Sequence, residues 1–135
     1  MYGCNVYNDE EIEGRGFHVI VTVRSSIKNR LENDLYSFEG KGLLNKQILR
    51  FVENKIHNEL RMELDKVVFI RKKENEGTFY FTFQEKKNTF LEYSGAVGTL
   101  KIPLYTERML KKENKIEIDY ILNETEKFLL QIAYE

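Results

Sequence analysis

Apolar and polar side chains alternate with a period of two along most of the chain. In 17–24, Phe17, Val19, Val21 and Val23 point one way, with His18, Thr22 and Arg24 on the other side. The set Ile56, Leu60, Met62 and Leu64 faces away from His57, Glu59, Arg61 and Glu63. In "GTFYFTFQ", Phe79, Phe81 and Phe83 share one face, with Tyr80 and Thr82 between them. Leu100, Ile102 and Leu104 alternate with Thr99, Lys101 and Pro103, and Ile116, Ile118, Tyr120 and Leu122 with Lys115, Glu117 and Asp119. "KFLLQIAYE" closes the chain with Phe128, Leu130, Ile132 and Tyr134 in register. Short polar runs separate these segments, "KENEG", "QEKKN", "KKEN" and "NETE", of the kind that join antiparallel neighbours. The pattern predicts about ten short strands, and regular spacing of this kind argues a barrel or a sandwich.

Residues 46–66 carry a competing signal. Ile48, Val52, Ile56, Leu60 and Leu64 recur every four residues among good helix formers, so an amphipathic helix is the alternative there. The cleaner alternation at 58–64 favours strands, and a helix would leave the meander two members short. Pro103 cannot donate to a ladder, which predicts an edge or a bulge in its strand. Gly95 and Gly98 bracket a tight bend at Ala96 and Val97, and "GKG" at 40–42 is expected to be a bulge or strand bend.

Length and composition bound the rest. With 135 residues, 41% hydrophobic and 32% charged, the chain reads as one soluble domain over 17–135 behind a mobile acidic tail at 1–16. Lys plus Arg is 21 and Asp plus Glu is 22, so no bulk field draws nucleic acid or an acidic membrane. No apolar run is long enough to cross a bilayer as a helix, and the first residues lack the basic start and apolar run of a signal peptide. Cys4 is the only cysteine, which excludes an internal disulfide and fits a reducing compartment; cytoplasm is the expected location.

Several segments together resemble a known family. "VFIRKKENEGTFYFTFQ" resembles a strand ending in Arg, a turn and the next strand; "GTLKIPLYT" resembles a Gly-Thr-Leu strand, and "KIEIDYIL" a penultimate strand of form Ile-x-Ile-x-Tyr-x-Leu. Their order from "VIVTVRSSI" to "LLQIAYE" is similar to that of the small bacterial YwiB-like proteins, a family of unknown function. The resemblance covers roughly 17–135. It implies an all-β, antiparallel calycin-like barrel (lipocalin- or fatty-acid-binding-protein-like) of about 8–10 strands, and it carries no activity. It also marks Arg71, which matches the family's strand-ending arginine. Lys72 and Lys73 stand where the family continues Ser-Gly, and Ala96 and Val97 stand where it has Pro-Tyr.

Catalytic chemistry finds little support. His18 and His57 lie on the polar side of alternating strands, and two histidines without further ligands make no metal site. Cys4 has no base and orienter near it in sequence. "GRG" and "GKG" lack the strand-loop-helix setting of a phosphate loop. Glu117 and Asp119, on one strand face, read as a solvated face rather than an acid/base pair.

Two features bear on binding. Arg71 ends an apolar strand on the face of Val67 and Phe69, where its forked donors would either anchor a carboxylate or phosphate or pair with a glutamate as an end-cap. The aromatic set is Tyr36, Phe38, Phe79, Phe81, Phe83, Tyr120, Phe128 and Tyr134, and such rings either fill a barrel or line a narrow chamber. The expected function is therefore non-enzymatic binding of a small apolar or acidic ligand, with Arg71, Phe79, Phe81, Phe83 and Tyr120 as its residues and no catalytic group, metal or cofactor. Stacking of single-stranded nucleic acid on the aromatic strand ranks well below, because the lysines at the turns have acidic neighbours. Homodimerisation through a strand edge is the third expectation.

Overall fold

The computed structural model describes residues 18–33 and 35–135. The expected tail at 1–16, with Cys4 and the "GRG" motif, and Phe17 lie outside these residues. Ten strands follow one another: β1 (Val19–Asn29), β2 (Leu35–Asn45), β3 (Ile48–Glu53), β4 (Ile56–Met62), β5 (Val67–Lys73), β6 (Gly77–Phe83), β7 (Asn88–Gly95), β8 (Gly98–Lys112), β9 (Lys115–Leu122) and β10 (Glu126–Tyr134). Each pairs antiparallel with its chain neighbour, and β10 returns to β1 through seven register pairs from Val23↔Tyr134 to Asn29↔Phe128. The sheet is a closed barrel. Segment 46–66 is strand, turn and strand, so the four-residue recurrence there does not mark a helix. Alternation wins because β3 and β4 each have one face to bury against the core.

The meander puts five hairpin turns at one rim, called upper here: β1–β2, β3–β4, β5–β6, β7–β8 and β9–β10. The β3–β4 turn consists of Asn54 and Lys55, both left-handed at φ 48° and 67°, the backbone that matches the twist of its flanking strands. Gly95 pairs with Gly98 around Ala96 and Val97, the tight bend read from the sequence. "GKG" lies inside β2 without a register shift against β1, so it is not a bulge in that ladder. Gly40 and Gly42 keep register with β1, but β2 pairs with β3 only from Gly42 onward. A Cβ on Gly42 would sit 2.7 Å from Val23 Cγ2 and 2.9 Å from the Arg50 carbonyl, so only glycine permits that approach.

Closure changes the reading of Pro103. No terminal edge strand exists for it to occupy; it pairs with Phe90 of β7, while its other neighbour β9 begins pairing only at Leu104. The Pro103 carbonyl instead accepts from the Asn123 amide in the β9–β10 turn, at 2.8 Å. The irregularity in β8 falls slightly later, between Thr106 and Arg108. Leu64 and Leu100, expected on inward faces, are 95% and 57% exposed, because Leu64 lies beyond the end of β4 and Leu100 at the upper rim.

The outer face of β8–β10 is a charge ladder rather than the free solvated face expected of Glu117 and Asp119. Both side chains are only 16% exposed; Arg108 and Lys115 pair with Glu117, and Arg108 and Arg30 with Asp119. Hydrogen bonds from Lys115, then Gln131 and Arg108, hold the Glu117 carboxyl at about 2, below its ordinary 4.5. A depressed carboxylate contributes stability above its unfolded value and loses it as pH falls toward the folded one. Unfolding midpoints in urea should therefore drop between about pH 5 and about pH 2 more steeply in the parent than in Glu117→Gln. Parallel slopes would show that the ladder does not couple to folding.

Candidate functional site

The lumen has two unlike halves. Toward the lower rim Val23, Leu49, Leu60, Val67, Phe83, Ile116, Ile118 and Ile132 are all at most 1% exposed, with Leu44, Met62 and Met109 partly buried at that end. Toward the upper rim, inward-facing Phe38, Phe79, Phe81 and Phe128, with Ile27, Ile102 and Leu122, are only partly buried against that core. Phe81 sits mid-strand, faces inward and is still only half-buried, so the space above the core does not close over it.

The rings of this upper half form a connected set. Phe81 stacks on Phe83 at 5.9 Å and meets Phe69 at 6.0 Å and Tyr120 edge-on at 6.3 Å. Tyr120 also lies 5.0 Å from Phe83 and stacks on Phe128 at 5.3 Å. Phe79 is set apart from this group, against Tyr93 at 4.8 Å, with Lys73 Nζ 5.6 Å above its ring. Of the five residues named from sequence, Phe81, Phe83 and Tyr120 belong to this ring set and Arg71 lies over Phe69 beside it, while Phe79 stands at the upper rim.

Arg71 faces the upper lumen as half of an ion pair. Its Nη2 donates to Glu53 Oε1 at 2.9 Å and its Nε to Asn58 Oδ1 at 2.9 Å, while its guanidinium lies 5.6 Å above the Phe69 ring. Glu53 is 2% exposed and also accepts from the Tyr36 hydroxyl at 2.6 Å and Asn58 Nδ2 at 3.0 Å. Bonding to Glu53, burial and the Glu53 charge all raise the Tyr36 hydroxyl above its ordinary value. The glutamate that an end-capping arginine requires is therefore present. Among the described residues Nη1 makes no hydrogen bond, so one side of the fork is uncommitted.

Burial pushes the Tyr120 hydroxyl far up, with the Arg71 charge opposing, so Tyr120 remains a hydrogen-bond donor throughout the physiological range. Thr106, its cross-strand partner, is 0% exposed, and among the described residues its hydroxyl has no hydrogen-bond partner. The upper lumen thus combines apolar rings with a few unsatisfied polar atoms. Glu53 and Asn58 escaped the sequence reading, although both stand at inward positions of their strands, between or beside apolar neighbours. That parity was the available signal.

A concavity of about 390 Å³ over β1, β2 and β10 reaches Phe38, beside Ser25, Ser37 and Gln131. A depression of about 720 Å³ beside the β2–β3 turn is lined by Asn45, Lys46, Gln47, Ile48, Arg61, Met62 and Glu63 and shares no residue with the aromatic set. The histidines are both partly buried rather than exposed. Among the described residues no cluster of three or more His, Cys, Asp or Glu could hold a metal ion.

The solved structure of the ywiB protein from Bacillus subtilis matches this fold with a TM-score of 0.63, at 16% identity, over 86% of this chain and 89% of that one. At that identity the likeness shows the fold alone, and at that level it agrees with the resemblance read from the sequence. No family model and no curated protein matches the chain.

Proposed function

We propose that the barrel is a non-enzymatic binding module that holds one small, partly apolar molecule in the aromatic half of its lumen. The observation that carries this reading is the difference between the two ends of the interior: inward-facing rings that stay partly exposed toward the upper rim, Phe81 among them at mid-strand, above a mostly aliphatic, tightly buried centre. Covering that apolar surface is favourable by about 25 cal/mol per Å². An acceptor group on the ligand, a carboxylate in the simplest case, would take the free side of Arg71 and the Tyr120 hydroxyl. Glu53 already offsets the Arg71 charge, and the Lys73 ammonium lies over the Phe79 ring at the mouth. The inward direction of Phe79, Phe81 and Phe83 weighs against base stacking, and barrel closure removes the terminal edge on which strand-mediated dimerisation would rely.

Anilinonaphthalene sulfonate, an apolar ring system with one anionic group, is a suitable probe. It should saturate at one equivalent per chain, and native mass spectra of protein purified from cells should carry a single small adduct. Phe79→Glu, which places a carboxylate at the mouth, should abolish saturable binding while the circular dichroism spectrum stays that of a strand-rich protein. A clean mass together with no saturable fluorescence would mean a solid barrel and would overturn the reading.

A further inference from the structure

We propose that the ligand enters sideways, through an opening in the barrel wall between β2 and β3, and that Tyr36 is the latch across it; this rests on reading the upper lumen as a ligand chamber. The β2–β3 ladder consists of four register pairs and stops at Gly42↔Phe51. Beyond that point the β2 residues from Leu35 to Lys41 have cross-strand partners only in β1. Val52 and Glu53 thus pair with β4 but not with β2. The other overhang of the upper half, residues 98–103 of β8, pairs only with β7. It stands beyond the last residue of β9, however, and is tied to the β9–β10 turn by the Asn123 amide on the Pro103 carbonyl.

Side chains close this gap in place of a ladder. The Tyr36 hydroxyl donates to Glu53 Oε2 at 2.6 Å and accepts from Asn54 Nδ2 at 3.4 Å, and Phe38 stacks on Phe51 at 5.7 Å. Tyr36 is 40% exposed and Glu53 2% exposed, so the latch runs from solvent to the carboxylate that also holds Arg71. Releasing the Tyr36 hydroxyl from Glu53 and Asn54 would therefore uncover the polar wall of the chamber without breaking any strand pairing. The glycines make the flap above Gly42 pliant, and the Phe38 ring folds over Gly40, where a Cβ would lie 2.5 Å from it.

Stopped-flow fluorescence with anilinonaphthalene sulfonate tests the entrance. Tyr36→Phe keeps the ring and removes the latch bond. Association and dissociation rates should both rise about tenfold, with the equilibrium constant little changed. Leu100→Trp, which enlarges a side chain at the upper rim away from the opening, should leave both rates as they are. Unchanged rates in Tyr36→Phe, or slowed rates in Leu100→Trp, would place the entrance at the open rim and overturn the proposal. Absence of saturable binding in the parent would instead remove the chamber itself, so the two failures are distinguishable.

Discussion

Phe83→Ala is expected to destabilise the barrel by about 3–5 kcal/mol, the usual cost of emptying a fully buried phenylalanine site. Phe83 is 0% exposed and touches the rings of both Phe81 and Tyr120, so its loss leaves a cavity that the surrounding strands cannot collapse. That is a large share of the roughly 5–15 kcal/mol that holds a domain of this size together. Phe81→Ala, two residues earlier on the same face, should cost distinctly less, because that ring is only partly buried and its removal empties less enclosed volume. Urea denaturation of both variants decides the matter. Equal losses would mean that Phe81 is as tightly packed as Phe83 and that the upper lumen is solid.

The contrast within one strand shows what the sequence could and could not convey. Period two placed Phe79, Phe81 and Phe83 on one face and placed that face inward, because a strand with rings at every second position has one side to bury. It could not grade the three, since depth within a barrel depends on strand stagger and on what crosses from the far wall. The same limit applies to Arg71. Parity put it with Val67 and Phe69, but whether it met a ligand or a glutamate depended on Glu53, eighteen residues away and on a strand whose register against β4 is set by the turn at Asn54 and Lys55. Asn58 sits between Ile56 and Leu60 on the inward face, and Glu53 follows Leu49 and Phe51 on theirs. Polar residues in inward register are costly unless paired, and taking these two seriously would have identified the partners of Arg71 from sequence. Barrel closure was not readable in this way, because a sandwich and a barrel share alternation and differ only in whether β10 finds β1.

Glu53→Gln should cost about 3–5 kcal/mol, the typical price of stranding one member of a buried ion pair. The amide keeps the shape of the side chain and one acceptor oxygen, yet it leaves the Arg71 guanidinium, with its side chain 16% exposed, without a countercharge. Arg71→Met should destabilise for the mirror reason, since Glu53, with its side chain 1% exposed, would keep only the neutral donors Tyr36 and Asn58. Removing both charges is a different matter. Two apolar side chains of similar volume bury without the desolvation that the ions incur, so Glu53→Leu combined with Arg71→Met should recover much of the loss seen in either single variant. The coupling between the two positions should then be of order 0.5–3 kcal/mol, measured as the departure of the double variant from additivity in urea. Additive losses would mean that the pair does not act as a unit. The double variant also separates stability from binding: with Arg71 gone and the fold retained, weakened binding of the anionic fluorophore would report the loss of an anchor, and undiminished binding would leave the aromatic rings as the whole of the site.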